Sequence, residues 1–235
     1  MEESNLTSFL KRARVATSDT QLIRQAFTHR SYLNEHPNLG YGHNERLEFL
    51  GDAVLELSVT DYLYRAYPEK AEGELTAYRA ALVNTISISD AAKKLGMDEC
   101  LQLSRGEARG TEKARQYILA NTFEAVIGAI YLDQGYEAAD QFINAHLIPT
   151  ITDIIKKRLW QDAKSYFQER AQDKVNITPS YKVTKEIGPD HDKQFTVGVY
   201  LGEELVAKGN GRSKQDAEQE AAGNALDAKE WREDT

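Results

Sequence analysis

Apolar residues recur at helical spacing through the first two thirds of the chain. Leu47, Leu50, Val54, Leu57 and Tyr62 follow a period near 3.6. Ala80, Leu82, Val83, Ile86 and Ile88 continue in the same style. A further long helix is predicted from Tyr117 to Leu132, with Ala125, Val126, Ile127 and Ala129 near its middle. Breakers separate these segments: Asn38-Leu39-Gly40-Tyr41-Gly42 reads as a loop, as does Ser104 through Gly110. No alternating pattern competes here, so residues 1–158 are predicted to form an all-α domain.

The pattern changes after Trp160. Asp162 to Asp173 reads as a short helix. Ser180 to Glu186 alternates, Phe195, Val197 and Val199 alternate with Thr196, Gly198 and Tyr200, and Leu205 to Gly209 gives a third short strand. Gly188-Pro189-Asp190 and Gly202-Glu203-Glu204 supply the turns. Ser213 is a good N-cap for a last, Ala-rich helix, with Asp216 at the reciprocal position of a capping box. The order α-β-β-β-α predicts a small α+β domain over residues 161–230. A short charged linker, Lys156-Lys157-Arg158, joins the two.

Composition narrows the class. Apolar residues make up 41% of the 235, enough for a real core, and no apolar run reaches membrane-spanning length. Met1 to Phe9 carries Glu2 and Glu3 in place of a basic-then-apolar leader, which predicts a chain that is not secreted. The single cysteine, Cys100, fits a reducing cytoplasm and reads as a small core residue. The net charge of −8 argues against nucleic acid if taken alone. Phosphate contacts depend on local Lys and Arg, however, and a nuclease needs carboxylates to hold a divalent ion.

The carboxylates are arranged rather than scattered. At about 100° per residue, Glu48 lies about 60° from Glu45 with Asp52 between them. Like charges on one stripe destabilise an isolated helix, and a cation removes the conflict. Oxygen donors of this kind select Mg²⁺, Mn²⁺ or Ca²⁺ rather than zinc. Asn121 and Glu124 share a face of another helix among Ile118, Leu119, Phe123, Val126 and Ile127. A polar pair in such company is expected to be hydrogen-bonded or metal-bound. Glu72 opens a further helix. A solvated acidic face with Arg46 as partner is the plain alternative from spacing alone. A serine triad lacks a nucleophile elbow around any serine, His29 and Ser31 included. A di-iron bundle lacks the Glu-x-x-His pairs it needs.

Asn44 to Leu55, NERLEFLGDAVL, resembles the signature of the ribonuclease III family. Thr28-His29-Arg30-Ser31-Tyr32, Glu72-Gly73-Glu74-Leu75 and Ile118 to Ala125 resemble three further family segments, in order, and the C-terminal domain resembles a double-stranded-RNA-binding domain. The resemblance covers essentially the whole chain. It implies a Mg²⁺-dependent endonuclease, with Mn²⁺ as substitute, that hydrolyses double-stranded RNA as a homodimer. It further implies 5′-phosphate and 3′-hydroxyl ends with short 3′ overhangs, and work on rRNA precursors and other structured RNAs. By position it puts metal ligands on Glu48, Asp52, Asn121 and Glu124, with Asp52 and Glu124 foremost in catalysis. It also puts catalytic acids on Glu45 and Glu72 and a dimer-contact aromatic on Phe49.

In the small domain the resemblance implies RNA contacts by Gln168 and Glu169, by Pro189 and His191, and by Ser213 and Lys214. The last pair opens a helix, where free N–H groups favour phosphate. Two features run the other way. Residues 161–235 hold 11 Lys and Arg against 15 Asp and Glu, and Gln215 stands where the family often has a second basic residue. The family pattern also has aspartate at Asn121. An amide brings no charge, so the alternative reading is a protein that binds duplex RNA without efficient cleavage. A scaffold using the helical domain as a dimer module leaves the acids unexplained.

Overall fold

The computed structural model describes residues 3–156, 158–189 and 193–232. Lys157, Asp190, His191, Glu2 and Met1, all used in the sequence reading, lie outside them. The chain divides into two compact units, Met1–Trp160 and Gln161–Thr235.

The first unit is helical: α1 (Glu3–Ala13), α2 (Thr20–Ala26), α3 (Arg30–Glu35), α4 (Glu45–Ala66), α5 (Glu72–Leu82), α6 (Thr85–Lys94), α7 (Glu112–Gln134), α8 (Tyr136–His146) and α9 (Ile151–Lys156). Helix α7 is its axis. From Leu119 to Ile130 every residue is buried except Asn121 and Glu124, which are half-buried. A helix apolar on all sides belongs in the middle of a bundle. Leu47, Val54, Leu55, Val59 and Leu63 of α4 join the same core. Cys100 is buried there too, and burial pushes its thiol up to about 11.

The two long helices meet at glycines. A Cβ on Gly51 of α4 would overlap the carbonyl oxygen of Glu124 and stand 2.8 Å from the Gly128 nitrogen. A Cβ on Gly128 of α7 would overlap the Leu47 carbonyl oxygen in turn. Only hydrogen at both positions lets the backbones approach this closely.

The apolar spacing is divided more finely than it reads. The run Ala80 to Ile88 is two helices, because the Asn84 side chain accepts a hydrogen bond from Ser87 N at 2.9 Å and caps α6. Leu57 is 58% exposed. Helical spacing identified the helix but not which of its faces is covered.

The second unit contains α10 (Ala163–Val175), β1 (Ser180–Ile187), β2 (Gln194–Leu201), β3 (Glu204–Gly211) and α11 (Lys214–Ala228). The strands form an antiparallel sheet in the order β1-β2-β3, with a register shift in β1 between Val183 and Lys185. Phe167, Ala171, Val199, Leu201, Ala221, Ala222, Ala225 and Leu226 make its core. Gly209 lets β3 lie directly under α11, since a Cβ there would overlap Ala221 N. Side chains of α11 also occupy the outer border of β3. Glu220 accepts from Asn210 N, and Asn224 Nδ2 donates to Lys208 O at 2.8 Å.

Candidate active site and RNA-binding face

The α4–α7 crossing sets the candidate active site. With Gly51 against Glu124 and Gly128 against Leu47, the stripe of acids on α4 faces the two half-buried polar residues of α7. Asn121 lies beside the Glu48 carboxylate and favours its charged form. Burial raises the Glu48 carboxyl above its ordinary value, and the charges of Glu45 and Asp52 add to this. The Glu124 carboxyl is pushed further, to about 8, by burial first and then by Asp52, Glu48 and Glu56. Carboxylates in separate helices are thus close enough for their charges to add to the effect of burial.

Glu45 stands at the first turn of α4. Its carboxylate lies 3.4 Å from Arg30 Nη1 and 3.8 Å from His43 Nδ1. The THRSY segment around Arg30 is fixed in place by its own network. His29 Nδ1 and Ser31 Oγ are 2.8 Å apart, Ser104 N donates to Ser31 Oγ at 3.1 Å, and His29 N donates to Gln102 O. Burial lowers the His29 pKa, consistent with a neutral ring in that network. Glu72 lines a cavity between α4 and α5 with Thr60, Tyr64, Lys70 and Arg79, and accepts from Thr76 Oγ1 at 3.0 Å. It is absent from the charges acting on Glu48 and Glu124.

The donor set suits a hard cation by chemistry: the carboxylates Glu48, Asp52 and Glu124, and the carbonyl oxygen of Asn121. Among the described residues, no group of three or more His, Cys, Asp or Glu side chains is placed close enough together to hold a metal ion. The four groups fit an ion by type and charge, and side chains must draw in to close on one.

Sequence reasoning overlooked Glu56. It follows Glu48 and Asp52 at four-residue intervals, so the signal was present in the spacing. It also missed Arg30 as an anchor of Glu45, since this contact is tertiary.

In the second unit Gln168 and Glu169 are exposed on α10, beside Ser165, Gln172 and Asp173. Pro189 is exposed after Gly188, whose φ is 102°. Ser213 caps α11, its hydroxyl accepting from Asp216 N at 3.1 Å. Lys214 Nζ lies 5.9 Å from the Phe195 ring centre.

Comparison with known proteins agrees with this geometry. Residues 19–151 match the model of the ribonuclease-III-like family, and residues 163–228 match the double-stranded RNA binding motif. Ribonuclease 3 of Pelotomaculum thermopropionicum is 45% identical over 95% of this chain and 93% of its own length. Ribonuclease 3 of Borreliella burgdorferi is 42% identical over 97% and 93%. The crystal structure of the nuclease domain of ribonuclease III from Campylobacter jejuni superimposes with a TM-score of 0.56. It is 35% identical and covers 64% of this chain and 97% of that one. Neither these relatives nor the site geometry supports a form that binds without cutting. The chain belongs to the ribonuclease III family, the endoribonucleases of double-stranded RNA.

Proposed function

We propose that cleavage is Mg²⁺-dependent hydrolysis of a phosphodiester, with Glu48, Asp52, Asn121 and Glu124 as ligands of the ion. The observation that carries this reading is helix α7, whose segment from Leu119 to Ile130 is fully buried except at Asn121 and Glu124, opposite Glu48 and Asp52. Mg²⁺ supplies Lewis acidity to the attacking water and neutralises charge at the phosphate, and Mn²⁺ can replace it. Water adds to phosphorus and the bond to the 3′-oxygen breaks, leaving a 5′-phosphate and a 3′-hydroxyl. Asn121 lies beside Glu48 and favours its charged form. Arg30 holds the Glu45 carboxylate at the mouth of the cluster, and His43 Nδ1 accepts from Glu45 N. Glu72 is assigned to the approach of the RNA strand along the α4–α5 cavity.

The second unit grips the duplex by shape. Gln168 and Glu169 face one minor groove, Pro189 and His191 a second, and Ser213 and Lys214 the phosphates between. The Phe195 ring faces the Lys214 ammonium group. The natural targets proposed are rRNA precursors and other structured RNAs of the cytoplasm. Among the described residues no helix is long and apolar enough to cross a membrane.

A homodimer is proposed through α4. Phe49 is 82% exposed, with Leu57 and Tyr64 exposed further along the helix. A hollow lined by Leu22, Leu47, Leu50 and Leu132 lies beside Phe49, ready for the same residue of a second copy. The solved Campylobacter jejuni domain is itself described by flexibility in a region involved in dimer formation.

The test is cleavage of a long RNA duplex in Mg²⁺ by the parent and by Asp52→Asn. The parent is expected to yield ends that a 5′-phosphate-dependent exonuclease degrades, and the variant to bind the duplex but leave it whole. Undiminished cleavage by Asp52→Asn overturns the site.

A further inference from the structure

Arg79 and Glu56 stand at the edge of the carboxylate cluster. Glu48, Asp52 and Glu56 repeat every four residues along α4, so Glu56 lies about one turn beyond Asp52 on the same stripe. Its charge reaches Glu124. With nothing to restrain it, a flexible glutamate so placed would compete for any ion held by its neighbours.

The restraint comes from α5. Arg79 Nε lies 3.0 Å from Glu56 Oε2, with the side chains 35% and 39% exposed. Arg79 Nη1 also donates to Thr60 Oγ1 at 3.0 Å, and Thr60 Oγ1 donates to the Glu56 carbonyl oxygen at 2.6 Å. The guanidinium is thus fixed at two points on α4, on the side that leads away from Asp52. A planar fork can hold both contacts, whereas a lysine could keep only the charge.

We infer that Arg79 is a positioning residue of the nuclease site, holding Glu56 outside the ligand set of Glu48, Asp52, Asn121 and Glu124. The inference rests on the metal reading above. A small divalent ion offers about six coordination positions. Each one taken by a protein carboxylate is lost to the RNA phosphate and to water, and the added charge repels the phosphate. Releasing Glu56 therefore tightens the hold on the ion while slowing the reaction, a pairing that simple loss of structure does not produce.

The experiment measures Mn²⁺ affinity by electron paramagnetic resonance without RNA, and kcat and KM on a duplex. It compares the full-length parent with Arg79→Gln, Arg79→Lys, Glu56→Gln and the Arg79→Gln/Glu56→Gln double variant. Arg79→Gln is expected to bind Mn²⁺ about three- to tenfold more tightly. Its kcat is expected to fall about tenfold or more, with KM little changed. Arg79→Lys falls between, and the double variant returns both quantities to those of Glu56→Gln alone. Unchanged values, a joint loss of affinity and rate, or an Arg79→Gln effect that survives in the double variant overturns the inference. Thermal melting accompanies each variant. Where Arg79→Gln does not fold, Arg79→Lys with and without Glu56→Gln makes the same comparison. Asp52→Asn separates the two readings: retained Mn²⁺ affinity there defeats the metal site itself, whereas a failed Arg79 cycle beside an inactive Asp52→Asn defeats only the role of Arg79.

Discussion

Glu124 is the residue where folding and chemistry conflict most. Its carboxyl has an ordinary value of 4.5 and is pushed up to about 8 by burial and by the charges of Asp52, Glu48 and Glu56. A raised folded-state value means the proton is held more tightly in the native chain. The associated stability is complete below about pH 4.5 and is lost as pH rises through about 8. In chelator, the melting temperature is therefore expected to fall from about pH 5 to about pH 8.5. Mg²⁺ should restore it at the alkaline end. Glu124→Gln should flatten that dependence and melt roughly 3–8 °C above the parent in chelator at the alkaline end, while cleavage is lost. A scan showing the same slope for both proteins would remove Glu124 from the conflict.

At the scale of elements, two glycines determine whether the acids meet. Gly51→Ala is expected to cost about 3 kcal/mol, because its Cβ has only Glu124 and Gly128 backbone to displace. Gly73 makes the control: it lies in α5 with nothing within 4 Å of an added Cβ, so Gly73→Ala should be neutral or slightly stabilising. Chemical denaturation of both variants decides it, and equal stabilities would refute the close crossing. The helices and strands themselves were legible in the sequence, because periodicity needs no knowledge of neighbours. Leu119, Phe123 and Val126 announced α7, and Phe195, Val197 and Val199 announced β2. The need for glycine at 51 and 128 was not legible, since it depends on which helix crosses which. The break at Asn84 was not read from the sequence, because it lies within an unbroken apolar run. Of the candidate site, the stripe Glu48–Asp52 and the pair Asn121–Glu124 could be read from spacing. That they face each other belongs to packing, as does the grip of Arg30 on Glu45.

For the whole molecule, the exposed side of α4 makes association a measurable property. The chain has a mass of 26.5 kDa. Sedimentation of the parent is expected at twice that value, and Phe49→Ala should shift the distribution toward a single chain. A parent that sediments as one chain at micromolar concentration would leave Phe49 as a surface residue without a dimer role. The acidic second unit also becomes intelligible. Lys164 pairs with Glu218, Lys193 with Glu186, Lys229 with Glu204 and Arg232 with Asp227, so much of its positive charge is spent internally. Lys214 rests on a ring instead, with no acid among its contacts in the described residues.

The border of β3 has one more consequence. Its Asn210 N–H and Lys208 carbonyl are occupied by Glu220 and Asn224 of α11. A stray strand arriving there meets two of the ladder's groups already engaged, which blunts that part of the edge against pairing with another copy.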